Sequence, residues 1–425
     1  MLFAKNNFAQ TTYNDVANIF YKRCTNCHHN GGIAPNSLMN YNETSSNSLS
    51  IQDDLVDGHM PPWPPDTTYT RFLHERIIPL AEKNAILQWI TDGSLEGNPN
   101  LAPTPPSYSS SAYQLCGTSS LDVQIPTFAS NSNANNSNPY NCFAIPTGLT
   151  QDRWIRAFEV VPGNSAIVHH VVITVDTAGT ASSDTSGTCT SQPGDFSIGG
   201  WAAGAGPVVF PGVAPFKAGM RIKAGSQLVL QIHYAPGSGG QLDSTKIRLY
   251  FYPVGETGIR PVYSDTWLQN WTMNIAANTS ATYSATHAVG NSSISLFSTF
   301  PHSHLICTKI KNYAVQATDT IPIINIPKWT YHWQGNYYFP KLLQVPNGYT
   351  LQSDHFFDNT TNNPEAPTPL QRVTAGTKTS DEMLFDAFQW LDYQTGEENR
   401  NIDSLLKCDT LLVGKPAAAG TISGS

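Results

Sequence analysis

Charged side chains are scarce in this 425-residue chain, at 13% of the total, and basic ones are the scarcer sign, 23 against 31 acidic. The formal net charge of −8 argues against a surface that binds nucleic acid or another polyanion. Long apolar runs are missing too: nothing approaches the roughly 18 consecutive apolar residues that would read as a membrane span. Residues 1–20 lack the basic and apolar regions of a secretory leader. None of these absences speaks against chemistry on small molecules.

What is plentiful is Gly (31) and Pro (30), which with many Asn, Ser and Thr describe a turn-rich, mainly β protein. At roughly 100 to 200 residues per domain, the length predicts two to four units. Val16, Ile19, Phe20 and Arg23 recur at helical spacing along residues 13–23, and Ala85, Ile86, Trp89 and Ile90 form one stripe of residues 80–90 that stops at Asp92-Gly93. From residue 98 the text turns Pro-, Ser- and Thr-rich, the composition of a semi-rigid linker. Beyond it, apolar or alternating runs at 166–175, 227–234, 246–252 and 345–351 read as strands. The strand text pauses near Pro253-Val-Gly-Glu-Thr-Gly. The predicted layout is a small all-α domain at 1–100, a linker at 101–119, two antiparallel β-sandwich domains of jelly-roll type at 120–256 and 257–415, and a tail at 416–425.

Cys24-Thr-Asn-Cys27-His28 stands directly after the first predicted helix. Two thiols at this spacing add to the vinyl groups of a haem while the adjacent His reaches its iron, so Cys24 and Cys27 are the attachment points and His28 the proximal ligand. A zinc site would need two further Cys or His at paired spacing, and only His59 and His74 are near. Met60, in Asp57-Gly-His-Met-Pro-Pro-Trp-Pro-Pro, is the expected sixth ligand, on a loop stiffened by proline, with His59 as its rival. With Gly31-Gly-Ile-Ala-Pro as a further matching stretch, these residues resemble a small class I type cytochrome c domain over nearly all of the first hundred residues.

Downstream, histidine gathers. His169-His170 interrupts an apolar run, and because neighbouring strand residues point to opposite faces, both can serve one ion only if the strand ends or bulges there. Otherwise one is a core residue and the other a surface residue. His233 closes Leu228-Val-Leu-Gln-Ile-His and faces away from Leu228, Leu230 and Ile232. His302 and His304 read as residues i and i+2 of a strand, which share a face and present two imidazoles to one ion. Met383, in Thr379-Ser-Asp-Glu-Met, would by itself be read as a core methionine.

In order and flanking text these six residues resemble the ligands of the copper type II, ascorbate-dependent monooxygenases, which include the peptidylglycine α-hydroxylating and dopamine β-monooxygenases. The match runs over about residues 120 to 410, through His-His in an apolar strand, Gln-Ile-His-Tyr, His-Ser-His-Leu, a Trp/Asn-Tyr-rich stretch, Pro-Asn-Gly-Tyr and Ser-Asp-Glu-Met. The resemblance implies one copper on His169, His170 and His233 and a second on His302, His304 and Met383, each in its own β-sandwich, with a solvent-filled cleft between. It implies oxygen and substrate meeting at the second copper and an electron arriving from the first. A thioether beside two imidazoles independently suits Cu(I).

The departures from that family bear on substrate. Its peptide-hydroxylating members carry an Arg two residues before the His-x-His pair and Asn and Tyr after the Met, where this chain has Phe300, Phe385 and Ala387. Without an Arg fork a carboxylate is poorly held, so a peptide C-terminus is not the expected substrate. The resemblance further suggests a Cys307–Cys408 disulfide, while Cys142 is left to pair with Cys116 or Cys189. The expected function is a copper-dependent monooxygenase that hydroxylates a C–H bond of a small molecule with O2. Electrons come from ascorbate or a redox protein through the covalently bound haem c and the three-His copper. The alternative is a copper and haem electron-transfer or sensing protein without oxygenase turnover. Thioether haem attachment and disulfides point to a periplasmic or secreted protein whose leader is cut away.

Overall fold

Local chemistry sets the helix ends. The Asp15 carboxylate accepts the Thr12 N–H (2.8 Å) at the start of helix Tyr13–Arg23, and Asn40 caps the next helix by accepting the Glu43 N–H (3.0 Å). Gly58, in the left-handed region at φ +75°, ends helix Ser48–Asp57 where a side chain would be strained. A computed structural model describes residues 10–32, 34–108, 115–133, 139–189, 194–202 and 205–412. Residues 109–114 of the expected linker and the expected tail at 416–425 lie outside the described residues. The architecture is mainly β, with several antiparallel sheets and few helices.

The described residues divide into two compact units, one of 10–63 with 74–108 and the other of 64–73 with 115–412. The first unit is helical: Tyr13–Arg23, Tyr41–Ser46, Ser48–Asp57 and Leu80–Thr91 enclose Val16, Phe20, Leu55, Ile86 and Trp89. Arg23 grips Glu82 through two hydrogen bonds (2.6 and 3.1 Å), joining the first and last of these helices. The helices at 41–57 escape sequence patterning because only Thr44 and Leu55 of them are buried.

The second unit begins with a short piece of chain. Within it, the N–H groups of Asp66 and Leu73 donate to the Asn325 and Tyr338 carbonyls (2.8 and 2.7 Å), and Phe72 packs on the rings of Tyr337 and Phe339. In its first half, strands Tyr140–Pro146, Gln227–Tyr234, Val168–Asp176 and Phe196–Ala202 lie in that order in one antiparallel sheet. A larger sheet places Lys246–Phe251 between Leu121–Gln124 and Arg153–Val161. Leu228, Leu230 and Ile232 of the first sheet share a buried core with Ile155, Phe158 and Leu249 of the second. Each such side chain contributes about 1.5–3 kcal/mol on burial. In the second half, Phe385–Asp392 lies between Tyr263–Gln269 and Ile294–Phe300, and Thr350–Asn359 between Thr279–Ala288 and Cys307–Gln316. Phe297, Leu342 and Leu391 of that half join the core of the first, so the two halves share apolar packing.

Two expectations are corrected. The run at 345–351 is not a strand: Pro346-Asn-Gly348 turns the chain between Tyr337–Val345 and Thr350–Asn359, with Gly348 at φ +84°. Cys307 and Cys408 are both free, the first buried and the second exposed after helix Ile402–Lys407. The disulfide is Cys142–Cys189, with Cα atoms 5.9 Å apart, and Cys116 is also free.

Candidate metal centres

His169 and His170 reach one side of their strand because the strand bulges. His233 pairs with His170 but Tyr234 pairs with Val168, so His169 is the extra residue. His170 Nδ1 lies 3.2 Å from His169 Nδ1 and 3.3 Å from His233 Nδ1. Two nitrogens bound at about 2.0 Å to one tetrahedral ion lie about 3.3 Å apart, so the spacing suits a shared metal. All three offer ligand atoms within 4.8 Å of one another. Burial lowers the pKa of each, to about 3 for His233, and the neighbouring imidazoles push His170 lower still. They are therefore neutral, the form that binds metal.

Gln231 and Val229, on the His233 face of the strand, support the set from behind. Val229 packs on the Cys142–Cys189 disulfide, and the Gln231 side chain donates to the Cys189 carbonyl (2.8 Å). Tyr140, across the sheet from His233, stacks on its ring at 4.4 Å and 3°.

The second set is assembled differently. Pro301, which has no N–H for the ladder, follows the end of strand Ile294–Phe300, and His302 and His304 lie in the connection after it rather than on a strand as expected. Their rings are 5.2 Å apart and nearly perpendicular. His302 Nδ1 is held by Gln334 Oε1 (2.5 Å) and His304 Nδ1 by the Asp381 carbonyl (3.1 Å). Each Nδ1–H is thereby occupied, and Nε2 keeps its lone pair for an ion. Burial again depresses both, His304 to about 3.

Glu382 joins this connection to the segment that carries Met383. Its fully buried carboxylate accepts the N–H groups of His304 (3.0 Å), Ile306 (2.6 Å) and Met383 (3.2 Å), while the Ser303 hydroxyl donates to the Met383 carbonyl (2.6 Å). Burial pushes Glu382 up to about 7, against the pull of those donors. Asp386, equally buried, accepts the His302 N–H (3.0 Å) and faces the buried His355 ring (3.2 Å). Phe300 lies parallel to His302 at 6.0 Å and Phe385 edge-on at 6.2 Å, both partly exposed, with Ala387 opposite Phe300.

In the first unit, Cys24, Cys27 and His28 fall on one turn continuing the first helix, with the Cys27 and His28 N–H groups donating to the Cys24 carbonyl (3.1 and 3.0 Å). His28 Nδ1 is 2.9 Å from the Asn36 carbonyl, which leaves Nε2 as the free donor atom. Burial raises the pKa of both thiols. Met60 follows helix Ser48–Asp57, its N–H directed to the Asp54 carbonyl (3.2 Å), whereas the rival His59 is exposed with its ring 3.5 Å from Asp54.

Sequence patterning did not single out Glu382, Gln334, Tyr140 or Tyr331 for any role. Glu382 left a signal as the neighbour of Met383, and Tyr331 and Gln334 fall within the Trp/Asn-Tyr-rich stretch of the resemblance. No family model and no curated protein matches the chain. Among solved structures, the infectious bursal disease virus VP2 subviral particle is 12% identical, with 69% of this chain and 76% of that chain covered and a TM-score of 0.17. A mutant of Bacillus subtilis oxalate decarboxylase is 10% identical over 70% of this chain and 82% of that one, with a TM-score of 0.13. Likeness at this level carries no argument about fold or function.

Proposed function

We propose that the protein is a copper-dependent monooxygenase that hydroxylates a C–H bond with O2, fed with electrons through a c-type haem in the same chain. The observation that carries this reading is the pairing of two imidazole sets in one unit. One set converges through Nδ1, and the other leaves Nε2 free on two imidazoles whose connection is hydrogen-bonded to the Met383 segment. Two antiparallel β-sandwich domains, one per copper, are part of the same proposal.

When bound, copper at the second set supplies oxygen activation, copper at the first stores an electron, and the haem relays electrons between the donor and the coppers. His169, His170 and His233 would hold the first ion as neutral imidazoles. Gln334 and the Asp381 carbonyl orient His302 and His304, and Glu382 keeps the Met383 segment beside them. Cys24 and Cys27 would attach the haem and His28 would ligate it, with its ring held by the Asn36 carbonyl; Met60 would supply a further ligand. The rings of Phe300 and Phe385 offer an apolar wall beside His302, and Asp386 accepts the His302 N–H (3.0 Å). Such a wall suits an uncharged substrate rather than a peptide carboxylate. A chain that works with a covalent haem and a disulfide belongs to a periplasmic or secreted setting, with ascorbate or a redox protein as donor.

The test is reconstitution with copper, then 18O2 incorporation into candidate C–H substrates. Two coppers per chain and one labelled oxygen per product are expected, and Met383→Ile should abolish product while keeping side-chain volume. Copper and haem loading without any hydroxylated product would favour the electron-transfer reading. In stopped flow, reduced haem should reoxidise faster when both copper sets are filled and oxygen is present.

A further inference from the structure

A pair of phenols connects the two imidazole sets. Tyr140 stacks on His233 of the first set and meets the His170 ring at 5.8 Å. Its hydroxyl lies 2.8 Å from that of Tyr331, within hydrogen-bond distance. The buried Tyr331 ring in turn stands edge-on to His304 of the second set at 5.9 Å. The path from His233 to His304 thus crosses two aromatic rings and one O–H···O hydrogen bond.

The bridge is held from both ends. Tyr140 is in the strand paired with His233. Tyr331 is in the connection 327–336, where the Gln334 side chain donates to the Tyr331 carbonyl (2.8 Å) and also holds His302, and the Trp329 indole N–H points to the His304 carbonyl (3.4 Å). Thr379 Oγ1, 3.5 Å from the Tyr331 hydroxyl, comes from the segment leading to Met383. The apolar core shared by the two halves keeps these elements from parting.

We propose that Tyr140 and Tyr331 form a fixed electron bridge between the three-His set and the His302/His304/Met383 set. This rests on the reading that both sets hold copper. One electron leaves Cu(I) at the first set and reduces Cu(II) at the second. The phenols keep their protons, no bond is made or broken, and the electron lost at the first set is restored by the haem or the external donor. Intersite transfer in this chain is thereby a property of the folded protein, independent of bound substrate.

The test uses the full chain with haem and copper loaded, under anaerobic conditions and without substrate. One reducing equivalent per chain is mixed in, and the Cu(II) signals of the two sets, which differ in donor atoms and so in hyperfine splitting, are followed by freeze-quench paramagnetic resonance. Tyr140→Phe and Tyr331→Phe each remove one hydroxyl and keep the ring. Each is expected to slow equilibration between the sets by about tenfold, equivalent to about 1.4 kcal/mol of barrier. The double variant should be no slower than either single one, since both cut the same link. Copper content and the resting spectrum of each set should stay unchanged. Unchanged transfer in both variants would overturn the bridge, and loss of copper from either would reassign the pair to holding the ligands. Failure of the parent chain to bind two coppers would instead refute the functional reading on which the bridge depends.

Discussion

The three-His set and the His302/His304/Met383 set lie in one unit and are built on opposite principles. The first is a by-product of strand pairing: a single extra residue at His169 turns two neighbouring imidazoles to one side, and three backbone ladders among four strands hold them there. The second has no strand ladder at His302, His304 or Met383. A buried carboxylate, Glu382, gathers three N–H groups from two segments and sets their separation. A ladder spreads its cost over many weak bonds, whereas a carboxylate concentrates it in one residue, so the second set should be far easier to break with one substitution.

Glu382→Ala is accordingly expected to have the largest effect. It strands two buried N–H donors and a part-buried one, each buried one costing about 1–3 kcal/mol, so a loss of about 2 kcal/mol or more is predicted. Copper should fall from two to one per chain, with the three-His signal retained. Thermal unfolding and metal analysis check both, and loss of the three-His copper instead would erase the contrast between the sets.

Removing the disulfide with Cys142→Ser and Cys189→Ser probes the other side. About 2–4 kcal/mol of stability should go. Copper binding should weaken at the three-His set, whose His233 strand pairs Gln231 with Cys142, and not at the second. A site-resolved copper titration reads this directly.

Gln334→Leu leaves the ligands in place but frees the His302 ring. Copper affinity at the second set should drop about 10- to 100-fold, measured by competition with a Cu(I) chelator.

The smallest effect expected is in pH dependence. In copper-free protein, His233 and His304 stay neutral in the fold down to about 3 but protonate near 6.5 when unfolded, so stability should fall as pH drops below about 6.5. Glu382 works the other way. Its folded carboxyl keeps a proton up to about 7 and its unfolded one only to about 4.5, so its stabilisation is full in acid and fades as pH rises through that window. Glu382→Gln should therefore steepen the acid loss between pH 6.5 and 4.5, and a profile no steeper than the parent's would count against this assignment.

Much of the candidate chemistry was legible because it is local. Cys24, Cys27 and His28 need only one turn of chain, and His302 and His304 remain neighbours although the strand expected beneath them ends at Phe300. The helices at 13–23 and 80–91 were readable from buried stripes, while those at 41–57 have almost none to read. Cys307 and Cys408 were joined on a resemblance that the strand register does not support, since Cys307 lies opposite Phe357, with Cys408 beyond the end of the last helix.

By itself the sequence determined which donor atoms this protein possesses and their order along the chain: two thiols and an imidazole near the start, three imidazoles in the middle, two imidazoles and a thioether later. Tertiary structure decided which of those atoms meet. The bulge at His169 exists only against its partner strand, where Tyr234 pairs with Val168. Glu382 has no visible role until chain 76 to 78 residues away brings its N–H groups within reach. The Tyr140–Tyr331 contact joins residues 191 positions apart. Residue type and spacing fix what a donor can bind, but convergence of distant donors depends on strand register and on the burial that makes unpaired polar groups costly, and both arise only when the chain is packed.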